Sequence, residues 1–139
     1  MKLLFDTNIL IDILTQRKDF YEASLNALLK AVENCDEIFV STCAINDIMY
    51  ITRKSFSDSV TQKAQIYDFL QAFNIVSVSE SDISFAFKGL MTDFEDAVQA
   101  SCAAKVFANY IITRNTKDYM FSPVPAITPA DFCPSMTVL

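Results

Sequence analysis

Short apolar runs alternate with helix-like stretches along the whole chain, a pattern typical of an α/β fold built on a parallel sheet. The runs predict strands at residues 2–5, 37–41, 75–78, 110–113 and 126–127. Pro123 and Pro125 precede the last run, and because proline is confined to sheet edges, this strand is predicted at an edge. The length of 139 residues predicts a single domain spanning residues 1–139.

Cap signals predict where several helices begin. Capping-box spacing occurs at Asp19 with Glu22 and at Thr92 with Glu95. Thr128 followed by Pro129 predicts the start of a last helix. Between residues 43 and 73 two helices are expected, with a break near residues 55–59.

Composition excludes several classes of protein. The chain is 52% apolar and has one glycine, so it is neither disordered nor built around glycine-rich loops. The apolar surplus predicts a homodimer that uses residues from about 50 to 73. A net charge of -6 argues against broad, non-specific nucleic-acid binding. We expect a cytoplasmic protein without a targeting or membrane-spanning segment, whose four cysteines are reduced and buried.

Acidic residues recur where the predicted elements meet one edge of the sheet. Asp6 follows the first strand, Asp47 lies on the apolar face of a helix, and Asp93 and Asp96 share a later helix face. A polar loop after the strand at 110–113 adds further oxygen atoms, from Thr113, Asn115 and Asp118. Because the chain has no histidine, converging carboxylates indicate a hard divalent cation bound by oxygen ligands only.

Each of these residues also has a structural interpretation. Asp6 is a suitable helix N-cap, and taken alone the cap and the ligand are equally plausible. Asp47 would be costly to bury unpaired, so it is either a metal ligand, which we favour, or half of a buried ion pair. We expect Asp96 to be a ligand and Asp93 to support it, although acids in a first helical turn also complement the helix dipole. No pair of aromatic residues suited to base stacking is evident, and helical spacing predicts core positions for Phe69, Phe73, Phe85 and Phe87.

The ordered set of motifs resembles the PIN-domain family, and within it the toxin-like members of the VapC type. The matching segments are Asp6-Thr7-Asn8-Ile9-Leu10, residues 41–50, Asp93-Phe94-Glu95-Asp96-Ala97, Ile112-Thr113-Arg114-Asn115, Lys117-Asp118-Tyr119 and residues 127–129. The resemblance implies a three-layer α/β/α sandwich with a parallel sheet of about five strands in the order 3-2-1-4-5.

The resemblance also implies a ribonuclease that depends on Mg²⁺ or Mn²⁺. It assigns catalytic and metal-binding roles to the acidic positions and supporting roles to Asn8 and Thr113; the acidic positions are Asp6, Asp47, Asp96 and the Asn115/Asp118 segment. Two positions depart from the family pattern. Aspartate stands at 47 where glutamate is usual, and asparagine at 115 where an acid often stands, so Asp118 is expected to take over that role.

The main hypothesis is therefore a metal-dependent endoribonuclease that hydrolyses RNA phosphodiester bonds as the toxin of a toxin–antitoxin pair, with an antitoxin protein as its partner. Arg114 and Lys117 are expected to hold substrate phosphates. One alternative is a PIN-like domain whose degraded site binds RNA or protein without cleaving it. Another is a phosphoacceptor receiver domain, which fits poorly because Ser79-Glu80-Ser81 follows the third predicted strand where an acceptor aspartate is usual.

Overall fold

A computed structural model describes residues 1–133 of the chain. The strands are β1 (Lys2–Phe5), β2 (Glu37–Ser41), β3 (Asn74–Val76), β4 (Tyr110–Ile112) and β5 (Ala126–Ile127). The helices are α1 (Thr7–Leu14), α2 (Tyr21–Glu33), α3 (Thr42–Ile51), α4 (Ser59–Leu70), α5 (Glu80–Lys88), α6 (Phe94–Lys105) and α7 (Pro129–Phe132), with short 3-10 helices at Thr52–Ser55 and Thr116–Tyr119. The predicted helix break between α3 and α4 is confirmed.

All five strands pair in parallel, in the order β3-β2-β1-β4-β5. The predicted strand order is therefore confirmed, and β5 lies at an edge, as the prolines before it require. β1 is central, and the chain adds β2 and β3 on one side of it before it crosses to add β4 and β5 on the other. The carboxyl ends of β1 and β4 therefore flank the crevice where parallel sheets bind ligands.

Side chains alternate across β1, so each face of the sheet has its own core. Leu3 and Phe5 pack into one apolar cluster with residues of α1, α2, α3 and α4. Leu4 packs into the other cluster with residues of α5 and α6. Helices thus cover both faces, which confirms the three-layer sandwich and explains why the strands are apolar without alternation.

Two of the predicted helix caps are wrong. α2 begins after Phe20 without a side-chain cap, and Asp19 has a positive φ of 74°. α6 is capped by Asp93 instead of Thr92, because the Asp93 carboxylate accepts the Asp96 backbone N–H at 2.9 Å and aspartate is the stronger cap. Thr128 does cap α7, as predicted, by accepting the backbone N–H of Asp131.

Two predictions about burial are also wrong. Only Cys102 of the four free cysteines is buried, and Cys35 and Cys43 are exposed. Phe87, predicted as core, is 75% exposed, because α5 buries Asp82 and Ala86 and the next residue turns outward. Its ring lies 4.8 Å from that of Phe94, so the chain does carry a surface aromatic pair. In the part of the chain that the structure describes, no helix is long and apolar enough to cross a membrane.

Candidate active site

Asp6 lies at the junction of β1 and α1. Its carboxylate accepts the Thr7 backbone N–H at 2.7 Å, so the residue is the N-cap of α1. The same side chain is only 5% exposed and lines a cleft of about 640 Å³. Asp6 is therefore both a helix cap and a residue of the cleft.

Donors from four places in the chain converge on the Asp6 carboxylate. Thr113 Oγ1 and Tyr119 Oη lie 2.8 and 3.1 Å from Oδ2. Weaker contacts come from the amide nitrogens of Asn8, 3.5 Å from Oδ2, and of Gln99, 3.4 Å from Oδ1. Desolvation nevertheless raises the pKa of Asp6 above its usual range, against the opposing effect of these hydrogen bonds. The carboxylate is thus held firmly in an environment that disfavours its own charge.

Asp96 faces the same cleft from the first turn of α6. It is half-buried, and its Oδ1 lies 3.2 Å from the Tyr119 hydroxyl. Burial, followed by repulsion from Asp6 and Asp93, raises the pKa of Asp96 to about 7. The neighbouring Glu95 is affected in the same direction, since its pKa is raised by desolvation and by the charges of Asp47 and Asp93. The cleft therefore concentrates negative charge.

The cleft brings together most of the residues predicted from the sequence. Its walls include Asp6, Asn8, Asp47, Asp93, Asp96, Asn115 and Asp118. Thr113 is fully buried beneath it and links two parts of the site, since its hydroxyl donates to Asp6 and accepts the Asn115 backbone N–H at 3.1 Å. The acids at the strand ends and the polar loop after β4 thus share one surface, as the parallel topology requires.

Arg114 and Lys117 are not among the residues that line the cleft. The Arg114 guanidinium instead binds the fully buried Asp12 through two hydrogen bonds of 2.8 and 3.2 Å, and its Cζ lies 4.0 Å from the centre of the Phe20 ring. The Arg114 side chain is therefore engaged in a structural ion pair outside the cleft. The basic residue that does line the cleft is Arg17, whose side chain is 57% exposed.

Sequence reasoning missed Arg17, Gln99 and Tyr119. Gln99 lies one helical turn after Asp96, so the i, i+3 spacing on α6 was an available signal. Tyr119 follows Asp118 within a matched motif. The direction of its side chain, however, is set by the 3-10 helix at Thr116–Tyr119, which the local sequence does not predict.

The potential ligand atoms in the cleft are of the chemical type that binds a divalent cation. They are carboxylate and amide oxygens, which Mg²⁺ and Mn²⁺ prefer. Within residues 1–133, the four ion pairs involve only Asp12, Asp36 and Asp82 as acids, so no basic side chain neutralises the acids of the cleft. The buried acceptors Asn8 Oδ1 and Gln99 Oε1 also have no hydrogen-bond partner. Among the same residues, however, no group of three or more Asp, Glu, Cys or His side chains is arranged to hold an ion directly.

Comparison with known proteins points to one family. A protein-family model described as PIN domain matches residues 2–117. A toxin–antitoxin complex from Klebsiella pneumoniae contains a chain with 27% identity and a TM-score of 0.67, and the match covers 91% of this chain and 97% of that one. Among the curated proteins, none matches the sequence significantly.

More distant structures share the fold. A chain of VapBC2 from Rickettsia felis, solved with a promoter DNA fragment, is 20% identical with a TM-score of 0.69, covering 92% of this chain and 98% of that one. A chain of FitAcB from Neisseria gonorrhoeae is 18% identical with a TM-score of 0.68, covering 91% and 97%. The whole architecture, and not a fragment of it, is therefore shared.

Proposed function

The chain belongs to the PIN-domain family, and from this we propose that it is a divalent-cation-dependent endoribonuclease acting as the toxin of a toxin–antitoxin pair. One observation carries the proposal. Asp6 and Asp96 come from different elements, face the same cleft, and have raised pKa values without a basic side chain paired to either, within the described residues. Desolvation raises both pKa values, and the charge of Asp6 adds to that of Asp96; a bound cation would favour the charged form of both carboxylates.

The residues proposed to hold Mg²⁺ or Mn²⁺ all line the cleft, and they are Asp6, Asp47, Asp96, Asn115 and Asp118. A divalent cation in such a site supplies a nucleophile from water at neutral pH and neutralises charge at the scissile phosphodiester. Asp6 is buried and is linked to Asp96 through the Tyr119 hydroxyl, and we assign these two acids the closest role. Asp118 is proposed to supply the charge that Asn115 lacks, because both lie on the loop after β4.

Other residues are proposed to arrange the site. Thr113 and Asn8 orient the Asp6 carboxylate, which accepts from both. Asp93, by capping α6, fixes the direction from which Asp96 enters the cleft. Arg17 is proposed to contact an RNA phosphate, because it lines the cleft and its contact with Asp12, at 4.0 Å, is weak. Lys117, exposed on the same loop as Asp118, is proposed to attract the RNA strand.

The proposed partners follow from the related structures. The Klebsiella chain is part of a toxin–antitoxin complex, and by analogy we propose an antitoxin partner for this protein.

We also propose a homodimer through residues 50–73. That segment exposes large apolar side chains, namely Tyr50, Ile51, Val60 and Tyr67, each at least half exposed.

Titration with Mn²⁺ and an RNA cleavage assay test the proposal together. The wild-type protein is expected to bind Mn²⁺ in a calorimetric titration and to cleave RNA only when the cation is present. Asp6→Asn should lose both properties. Glu33→Gln is the matched control, because Glu33 is an exposed acid on α2, outside the cleft and outside the proposed dimer interface. Equal Mn²⁺ binding by the wild type and Asp6→Asn would show that Asp6 serves as a helix cap only.

A second candidate is a domain that binds RNA or protein without cleaving it. Two observations favour it: no three acids in the described residues are arranged to hold an ion directly, and Asn115 is uncharged. This candidate predicts no Mn²⁺ binding and no cleavage, together with unchanged affinity for RNA in EDTA. The same two assays therefore separate it from the nuclease.

A further inference from the structure

The Tyr119 hydroxyl lies between the two principal carboxylates of the cleft. Its ring is 4% exposed and packs into the apolar cluster formed with α5 and α6. The hydroxyl oxygen is 3.1 Å from Asp6 Oδ2 and 3.2 Å from Asp96 Oδ1. Among the hydrogen bonds of residues 1–133, this hydroxyl is the one group that contacts both acids.

A phenol has one hydrogen and so can donate to only one of these carboxylates at a time. The other carboxylate then faces an oxygen lone pair, which is unfavourable while that carboxylate is charged. A tyrosine hydroxyl is ordinarily protonated at neutral pH, so it keeps its role as a donor. The arrangement holds two repelling acids side by side without satisfying both.

We propose that Tyr119 is a positioning residue for the divalent cation, an inference that rests on the cation site of the proposed function. Its hydroxyl links a carboxylate at the end of β1 to one on α6 and thereby sets their separation before the cation arrives. A cation that takes up the charge of one carboxylate lets the single Tyr119 proton serve the other. Groups that orient metal ligands in this way typically contribute a factor of about 10–100 to metal affinity.

Tyr119→Phe removes the hydroxyl oxygen and leaves the buried ring in place. We expect the dissociation constant for Mn²⁺, measured by calorimetry, to rise by about tenfold or more. Tyr21→Phe is the matched control, because it removes the same atom from a residue on α2 that lies outside the cleft, and its affinity should equal that of the wild type. Unfolding in EDTA should show that both variants fold cooperatively.

The outcomes separate this inference from the function on which it rests. Mn²⁺ binding by the wild type with equal or tighter binding by Tyr119→Phe would overturn the positioning role and leave the nuclease proposal standing. No binding by the wild type would overturn both.

A second measurement uses the wild type itself. The chain has five tyrosines and no tryptophan, so tyrosine dominates its near-ultraviolet circular dichroism above 270 nm. Saturating Mg²⁺ should change that signal in the wild type and in Tyr21→Phe, because the surroundings of the Tyr119 ring change. An unchanged wild-type spectrum at saturating Mg²⁺ would overturn the inference even if Tyr119→Phe did not fold.

Discussion

Replacing Asp96 by asparagine should stabilise the metal-free protein at neutral and alkaline pH. The half-buried carboxylate has a pKa of about 7, raised from an ordinary 3.8 by desolvation and by the charges of Asp6 and Asp93. Asparagine has nearly the same shape, can still hydrogen-bond to Tyr119, and carries no charge. The substitution therefore removes the repulsion while leaving the packing of α6 unchanged.

The size and sign of the effect follow from proton linkage. Because the folded-state pKa lies above the unfolded one, the folded protein binds more protons between pH 3.8 and about 7, and its stability falls as the pH rises through that window. The pKa difference corresponds to at most about 4 kcal/mol. Solvent screening of a half-exposed group reduces this to about 1–2 kcal/mol at pH 8.

Urea unfolding in EDTA at several pH values between 4.5 and 8 measures the effect. The free energy of unfolding of Asp96→Asn minus that of the wild type should grow from near zero at pH 4.5 to about 1–2 kcal/mol at pH 8. Asp68→Asn, an exposed acid, controls for general loss of negative charge and should show a small, nearly constant difference. A variant less stable than the wild type at pH 8, or a difference independent of pH, would refute the electrostatic account of the cleft.

Three further predictions concern the structure around the cleft. Arg114→Met leaves the buried Asp12 carboxylate without its principal partner and should lower the free energy of unfolding by about 3 kcal/mol, as measured in urea; a loss below about 1 kcal/mol would contradict the anchoring role. Asp118→Asn should abolish cation-dependent RNA cleavage while Asn115→Asp preserves or raises it, and an active Asp118→Asn enzyme would exclude Asp118 from the site. Light scattering at micromolar concentration should give the mass of a dimer formed through residues 50–73, whereas a monomer mass would exclude that interface.

The fold was predictable because its signals are redundant along the sequence. Each strand is a short apolar run, and the prolines before β5 independently place it at an edge. Parallel topology then brings the strand ends together, so residues as distant as Asp6 and Asn115 could be assigned to one cleft without any contact information. Redundancy of this kind tolerates errors in individual boundaries, such as the one at Thr92.

The details that failed depend on side-chain direction and on competition between similar residues. Thr92 and Asp93 are neighbouring residues that both make good caps, and the start of α6 at Phe94 selects Asp93, the stronger of the two. Arg114 is a residue type that commonly contacts phosphate. In the structure, however, its guanidinium binds the buried Asp12, which is 102 residues away in the sequence. Tyr119 enters the site through a 3-10 helix whose pitch determines where the ring points. Such choices are decided by tertiary contacts, which a single sequence does not display.

The hydrogen-bond partners of Asp6 also determine when the site can form during synthesis of the chain. The side chains that hold the Asp6 carboxylate lie 93, 107 and 113 residues later in the sequence, so they are synthesised after it. Proteins are synthesised at about 5–20 residues per second, so roughly 5–20 s separate Asp6 from Thr113 and Tyr119. A nascent chain that stops before these residues has the first acid without the groups that orient it. The proposed activity would thus appear on the nascent chain only after Tyr119 has been made.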